Sequence, residues 1–383
     1  MADRSRLRLL AGLAALPALA RADDTDTTLA IMRRVLEDDL PGALTEARRQ
    51  AARTGQPVAR QLVTELDDMA RGGYATQGNR AFPRFAPLWR QARQDWVASR
   101  SRPAGSMPDA VLSLADDVRF VLAVDLNESV AWLVPGPPTS QMFPSAFYIS
   151  SGANGPGKRR RGDERTPLGV YWAVDEFDTA RLPARYGSRV LPLDYPNALD
   201  RRQRRSGDGI WIHGIDPANN IRPPRDTDGC IAVSEDRIDA LVDPVARRAT
   251  PVVIGAPLTW QASVDARAAW VADLDAALTG WVDSVRSRDA AGLLAHYEAG
   301  FRNMGLTSSQ WRAWRARALE TAPETETRLS SVSHFVADPS NGVFLTRCRQ
   351  TLNVAGAAPV TTWLRLYWQK QNGRLRIVAQ SAG

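Results

Sequence analysis

Apolar positions change their spacing twice along this chain. From Asp24 to Pro108 they recur every three or four residues. Leu29, Met32, Leu36 and Leu40 form one stripe, and Ala43, Leu44 and Ala47 continue it after Pro41. Leu62, Leu66 and Met69 form another that stops at Gly72-Gly73, and Phe85, Leu88, Trp89 and Trp96 form a last one. That period, broken by proline and glycine, predicts amphipathic helices. No fixed repeat length joins them, so the expectation over 24–108 is a small helical domain. Residues 99–107, rich in Arg, Ser, Pro and Gly, read as a linker.

Beyond the linker the pattern becomes that of strands. The apolar runs 120–124 and 130–134 flank Asp125-Leu126-Asn127-Glu128-Ser129, which predicts a β-hairpin, and runs 146–150 and 170–174 predict two further strands. Ser234, followed by Glu235 and Asp236, predicts a short helix to Leu241 with Ser234 as its N-cap. Helical spacing returns with Trp270, Leu274, Leu278, Trp281 and Val285, then Leu293, Leu294, Tyr297 and Phe301. Asp289 stands near a helix start, and 311–319 is a further helical run. Strand-like runs follow at 329–336, 343–352, 361–369 and 375–380. The expectation is a multidomain chain: helices over 24–108, a sheet domain over 115–256, and an α+β tail over 262–383.

Composition adds a compartment. Arg4, Arg6 and Arg8 precede an apolar run over 9–19 and two small-x-small sites, Ala18-Leu19-Ala20 and Ala20-Arg21-Ala22, which predicts a signal peptide over 1–22. An uncleaved anchor is the rival reading. With nothing later apolar enough to span a bilayer, the mature chain is expected to be exported to the periplasm, soluble or peripheral. The formal charge is +7, but lysine occurs only at Lys158 and Lys370, and the arginines are dispersed rather than massed in a stripe. That argues against nucleic acid as a partner and for contact with an anionic polymer surface.

Candidate chemistry concentrates in Ile210-Trp211-Ile212-His213-Gly214 and Arg225-Asp226-Thr227-Asp228-Gly229-Cys230-Ile231-Ala232-Val233. Asp-Gly before Cys230 is a turn signal that presents the thiol at the mouth of the next element. A free thiol titrates near ~8.5, so a thiolate nucleophile needs a basic neighbour, and His213 is the nearby candidate. Two blander readings stay open: a buried structural thiol, or a disulfide to Cys348. Two cysteines and three scattered histidines offer no ligand pairs for zinc. The Gly-rich loop 152–158 has Arg159 where a Walker hydroxyl should stand, so it is not a phosphate cradle.

At these residues the sequence resembles the YkuD-type L,D-transpeptidase catalytic domain. The resemblance rests on His213-Gly214, on Thr227-Asp228-Gly229-Cys230, on the segment from Gly152 through Pro156-Gly157-Lys158, Gly162-Asp163, Arg165-Thr166-Pro167 and Gly169 to Tyr171, and on Leu193-Asp194-Tyr195-Pro196-Asn197. It covers about 118–254 and implies a mostly antiparallel β-sandwich. It further implies a peptidoglycan enzyme with Cys230 as nucleophile, His213 as base, the Gly214 carbonyl orienting the imidazole, and the Gly229 and Cys230 N–H groups receiving the oxyanion. No cofactor or metal is implied. Thr227 and Asp228 flank the nucleophile as candidate contacts to the stem peptide. Many members carry His at position 228 and Arg at position 232, where this chain has Asp228 and Ala232, so stem recognition must rest elsewhere. Arg222, Arg225 and Arg165 are the candidates by position. The Thr-Asp-Gly-Cys-Ile-Ala branch includes hydrolytic members. The expectation is therefore a transpeptidase, with an L,D-carboxypeptidase, an amidase cutting a lipoprotein–wall bond, and a non-catalytic wall-binding protein as alternatives. The tail resembles the nuclear-transport-factor-type (SnoaL-like) cone, expected to bind the wall polymer or a wall- or membrane-associated protein. Its His296 and His334 are expected in packing or at the surface, and Cys348 in the core.

Overall fold

Each stripe of the N-terminal segment forms a helix. The computed structural model describes residues 22–71, 85–179, 182–215, 222–245, 248–260, 264–321, 325–354 and 356–382. The expected signal peptide, apart from Ala22, and the Gly72-Gly73 stop lie outside them. Helices α1 (Ala22–Leu36), α2 (Leu40–Thr54), α3 (Pro57–Ala70) and α4 (Ala86–Ala98) bury the predicted apolar faces. Asp39 caps α2 by accepting from the Gly42 N–H at 2.9 Å, and Gly55 closes it in a left-handed conformation. Among the described residues no helix is long and apolar enough to cross a membrane.

After a short strand β1 (Val111–Ser113), the hairpin forms as β2 (Phe120–Asp125) and β3 (Val130–Pro135), followed by β4 (Ser145–Tyr148), β5 (Ser151–Gly152), β6 (Gly169–Trp172), β7 (Phe177–Asp178) and β8 (Arg189–Pro192). Helix α5 (Ala198–Arg202), β9 (Trp211–His213), β10 (Arg225–Thr227), β11 (Ile231–Ala232), α6 (Glu235–Val242) and β12 (Pro251–Gly255) complete the central region. One sheet runs β4-β3-β2-β12-β6, a second runs β11-β9-β8-β7, and β5 pairs with β10. Side-chain alternation in the first sheet divides two cores. Val121, Ala123, Trp132, Val170 and Trp172 face the helices and the tail, whereas Leu122, Val124, Ala131, Tyr171 and Ile254 face the second sheet. Burial on both faces is why β2 reads as an unbroken apolar run. The sandwich is mixed: β2 pairs with β12, β9 with β11 and β5 with β10 in parallel. Helix α6 starts where Ser234 signals it, although the Ser234 hydroxyl makes no capping bond.

The tail follows the predicted order, with α7 (Val264–Arg286), α8 (Ala290–Ala295, capped by Asp289), α9 (Ser308–Thr321), then β13 (Thr325–Asp338), β14 (Val343–Val354), β15 (Val360–Gln371) and β16 (Arg374–Ala382). Strand β1 joins this antiparallel sheet beside β13, with Val111 opposite Phe335. Trp172 of the central sheet meets the Phe335 ring edge-on at 5.9 Å and carries the Arg347 and Arg365 guanidinium groups over its face at 4.6 and 4.4 Å. Arg365 pairs with Asp194, and Arg202 with Glu298 at 2.8 Å. Both cysteines are free, so the Cys230–Cys348 disulfide does not form, and Cys348 is wholly buried in the tail's core. His334 is buried between Thr346 and Asp275, at 2.9 and 3.0 Å.

Candidate active site

The pairing of β9 with β11 sets the site. Ile231 lies opposite Ile212 and Ala232 opposite His213, while β8 supports β9 from the other side with Val190 opposite His213. Ile212, Ile231 and Val233 face the core between the sheets. Alternation therefore turns Cys230, Ala232 and His213 to the opposite face together.

His213 is held from three sides. Its Nδ1 lies 2.5 Å from the Gly214 carbonyl oxygen. A carbonyl only accepts, so Nδ1 carries the proton and Nε2 keeps its lone pair. The Tyr186 ring meets the imidazole edge-on at 5.1 Å. A Cβ on Gly214 would stand 2.1 Å from Glu235 Oε1, so a side chain there would push aside the carboxylate that receives the Ser188 N–H at 3.0 Å.

The turn bearing Cys230 is fixed by two threonines. Thr227 Oγ1 accepts from the Gly229 N–H at 3.1 Å and donates to the Cys230 carbonyl at 2.7 Å. Thr166 Oγ1 donates to the Gly229 carbonyl at 3.0 Å and accepts from the Gly152 N–H at 2.9 Å. Gly229 adopts φ 121°, and a Cβ there would lie 2.6 Å from the Arg165 carbonyl oxygen. The Gly229 N–H, one of the two expected oxyanion donors, is engaged by Thr227 in this turn. The thiol donates to the Gly209 carbonyl at 3.3 Å, and the Trp211 backbone N–H points to the sulfur.

Burial governs the charges. It drives the His213 imidazole down to about 3, against a lesser rise from the Gly214 carbonyl, and drives the Cys230 thiol up to about 11. Asp228 adds to the thiol's rise, whereas Arg222 and Lys158 oppose it. Both shifts favour the neutral thiol and the neutral imidazole.

The candidate arginines part company. Arg222 reaches the pair electrostatically, its charge acting on both His213 and Cys230, and its Nε lies 3.5 Å from Asp226 Oδ2. Burial raises the Asp226 carboxyl to about 6. Arg225 instead pairs with Asp38 at 2.9 Å, joining the segment before the Cys230 turn to the N-terminal helices. Arg165 donates to the Pro156 carbonyl at 3.0 Å, and Asp228 is exposed. Lys158 is buried in an ion pair with Asp163 at 2.8 Å, so the Gly-rich loop is closed on itself. Sequence reasoning missed Tyr186, which carried no signal, and Thr166, which stands inside a motif without a role attached.

Residues 119–254 match the L,D-transpeptidase catalytic domain family, YkuD. The chain thus carries a YkuD-type domain in its middle third. Among solved structures, Bd1075 of Bdellovibrio bacteriovorus aligns over 73% of this chain and 98% of its own, with 20% identity and a TM-score of 0.58. The helical cell shape determining protein Pgp2 of Campylobacter jejuni aligns over 76% of this chain and 99% of its own, also with 20% identity and a TM-score of 0.58. At that identity the likeness is one of fold. A search of curated proteins gives no match.

Proposed function

Proceeding from a YkuD-type catalytic domain over residues 119–254, we propose that the protein is an exported peptidoglycan enzyme that works chiefly as an L,D-carboxypeptidase, trimming tetrapeptide stems to tripeptides. The observation that carries the chemistry is the Nδ1 contact of His213 to the Gly214 carbonyl, which leaves Nε2 as a base on the face that bears Cys230. Nε2 takes the thiol proton as sulfur bonds to the carbonyl carbon at the L-centre of the diamino acid. The Cys230 N–H faces the oxyanion, and one such donor is worth about 2.7–4 kcal/mol. The imidazolium then protonates the departing D-alanine amine as the C–N bond breaks. Water, deprotonated by the same imidazole, releases the acyl group and restores the thiol.

Two observations favour water over a second stem as acceptor. Cys230 is 9% exposed and His213 2%, so once the donor stem covers the pair water reaches it more readily than a second peptide. Ala232 also removes the cation that would help to seat one. The tail is read as a nuclear-transport-factor-type cone that recognises the wall or a wall-associated partner, supported by its three helices over an antiparallel sheet and a cavity of about 560 Å³ between them. The name of Pgp2 places that protein in cell-shape control, and the same role is proposed here.

Purified protein incubated with tetrapeptide muropeptides should yield tripeptide monomers by mass analysis, and Cys230→Ala or His213→Gln should lower turnover at least ~1000-fold. Dimers joined through two diamino acids would transfer the assignment to the transpeptidase. Product formation by Cys230→Ala at the wild-type rate would end the catalytic reading.

A further inference from the structure

A cavity of about 410 Å³ lies between helix α4 and the central domain, and four arginines line it: Arg90 and Arg93 from α4, Arg222, and Arg237 from α6. Two carboxylates temper them. Asp236 shares the wall and lies 3.5 Å from Arg237, and Asp226 lies 3.5 Å from Arg222. The surplus remains positive. Arg93 is anchored by its bond to the Arg222 carbonyl and by stacking over Tyr148 at 4.4 Å, so its guanidinium is held in place at the wall.

A second observation is independent of charge. Ser150 lines the same cavity, is 1% exposed, and its hydroxyl oxygen has no hydrogen-bond partner among the described residues. Buried hydroxyls are nearly always satisfied, so this one needs a partner that the described residues do not supply. The volume suits an amino-acid-sized group. Cys230 and His213 do not line the cavity themselves, but Ala232, which does, stands opposite His213 in the sheet. Arg222 also lines the cavity, and its charge reaches both Cys230 and His213.

We propose that this cavity is the subsite for a carboxylate-bearing end of the substrate peptide, and that helix α4 of the N-terminal helical region completes it. The inference rests on the stem peptide being the ligand of the Cys230 site. Guanidinium groups bind carboxylates through paired N–H donors. Two carboxylates share this chemistry: that of the terminal D-alanine and that at the D-centre of the diamino acid. Where Ala232 leaves space, the arginines of a neighbouring segment take up the anion.

The test reads binding with turnover removed. Full-length protein carrying Cys230→Ala is titrated calorimetrically with three ligands: a free tetrapeptide stem, the same stem with its C-terminal carboxylate amidated, and the stem amidated at the D-centre. Adding Arg90→Gln and Arg237→Gln, both at exposed positions, should raise Kd for the free stem at least tenfold. Ser150→Ala should raise it three- to fivefold without lowering Tm, because the hydroxyl has no protein partner to lose. One amide should bind weakly from the start and lose nothing further with the arginine substitutions, which identifies the carboxylate held. An unchanged Kd in the arginine variant, sensitivity retained by both amides, or no binding of any stem would each overturn the subsite. A protein that binds through these arginines but fails to cleave would sink the carboxypeptidase reading alone.

Discussion

Neutralising a cysteine–histidine pair by burial changes what pH should do. With the imidazole held near 3 and the thiol near 11, kcat/KM should show no limb at the ordinary imidazole value of about 6.5. A limb there that disappears in His213→Gln would mean that the pair titrates as an exposed one. Stability carries the same signature. The His213 pKa is lowered on folding, so its neutral form contributes stability above about 6.5, and that contribution is lost as pH falls toward 3. Urea midpoints at pH 7 and pH 4.5 should therefore differ more in the wild type than in His213→Gln. The strand end at His213-Gly214 and the turn at Gly229-Cys230 were legible as candidates because both are local patterns. The charge state was not, since it depends on a burial that only the assembled sheets create. The roles of Tyr186 and Arg93 were hidden for the same reason, each meeting its partner across the fold.

At the scale of elements, the Cys230 turn is bridged from within by the Thr227 hydroxyl, while Thr166 braces it from outside. Thr227→Val keeps the shape but strips the bonds to the Gly229 N–H and the Cys230 carbonyl. Each such bond contributes about 0.5–1.5 kcal/mol, and burying the orphaned groups adds to the cost. The variant should lose about 1–3 kcal/mol in a denaturant titration, and its kcat/KM should fall about 10- to 100-fold; unchanged kinetics would show that the turn is held from elsewhere. The long elements were legible from their periods: the four N-terminal stripes, the 120–134 hairpin, and the tail's helices and strands all form. Strands β9 and β11, of three and two residues, are too short to show a period. Their parallel pairing is a non-local choice that no run of residues announces. The placement of β1 beside β13 was equally invisible, because its partner lies more than two hundred positions away.

For the whole molecule, the tail is a wall of the central domain as well as an attachment to it. A chain ending at Ala256 would uncover Trp172 and leave Asp194 without Arg365. Such a chain should unfold at a lower urea concentration than the full protein, with red-shifted tryptophan fluorescence; an equal midpoint would show that the central sheets stand alone. Strand β1 carries a further consequence for how the molecule is made. The segment that precedes the nucleophile finds its sheet partner in residues 325–338, which leave the ribosome only after the whole central region. The seam between β1 and β13 therefore closes only once the tail is in place, whatever the central sheets have formed before it.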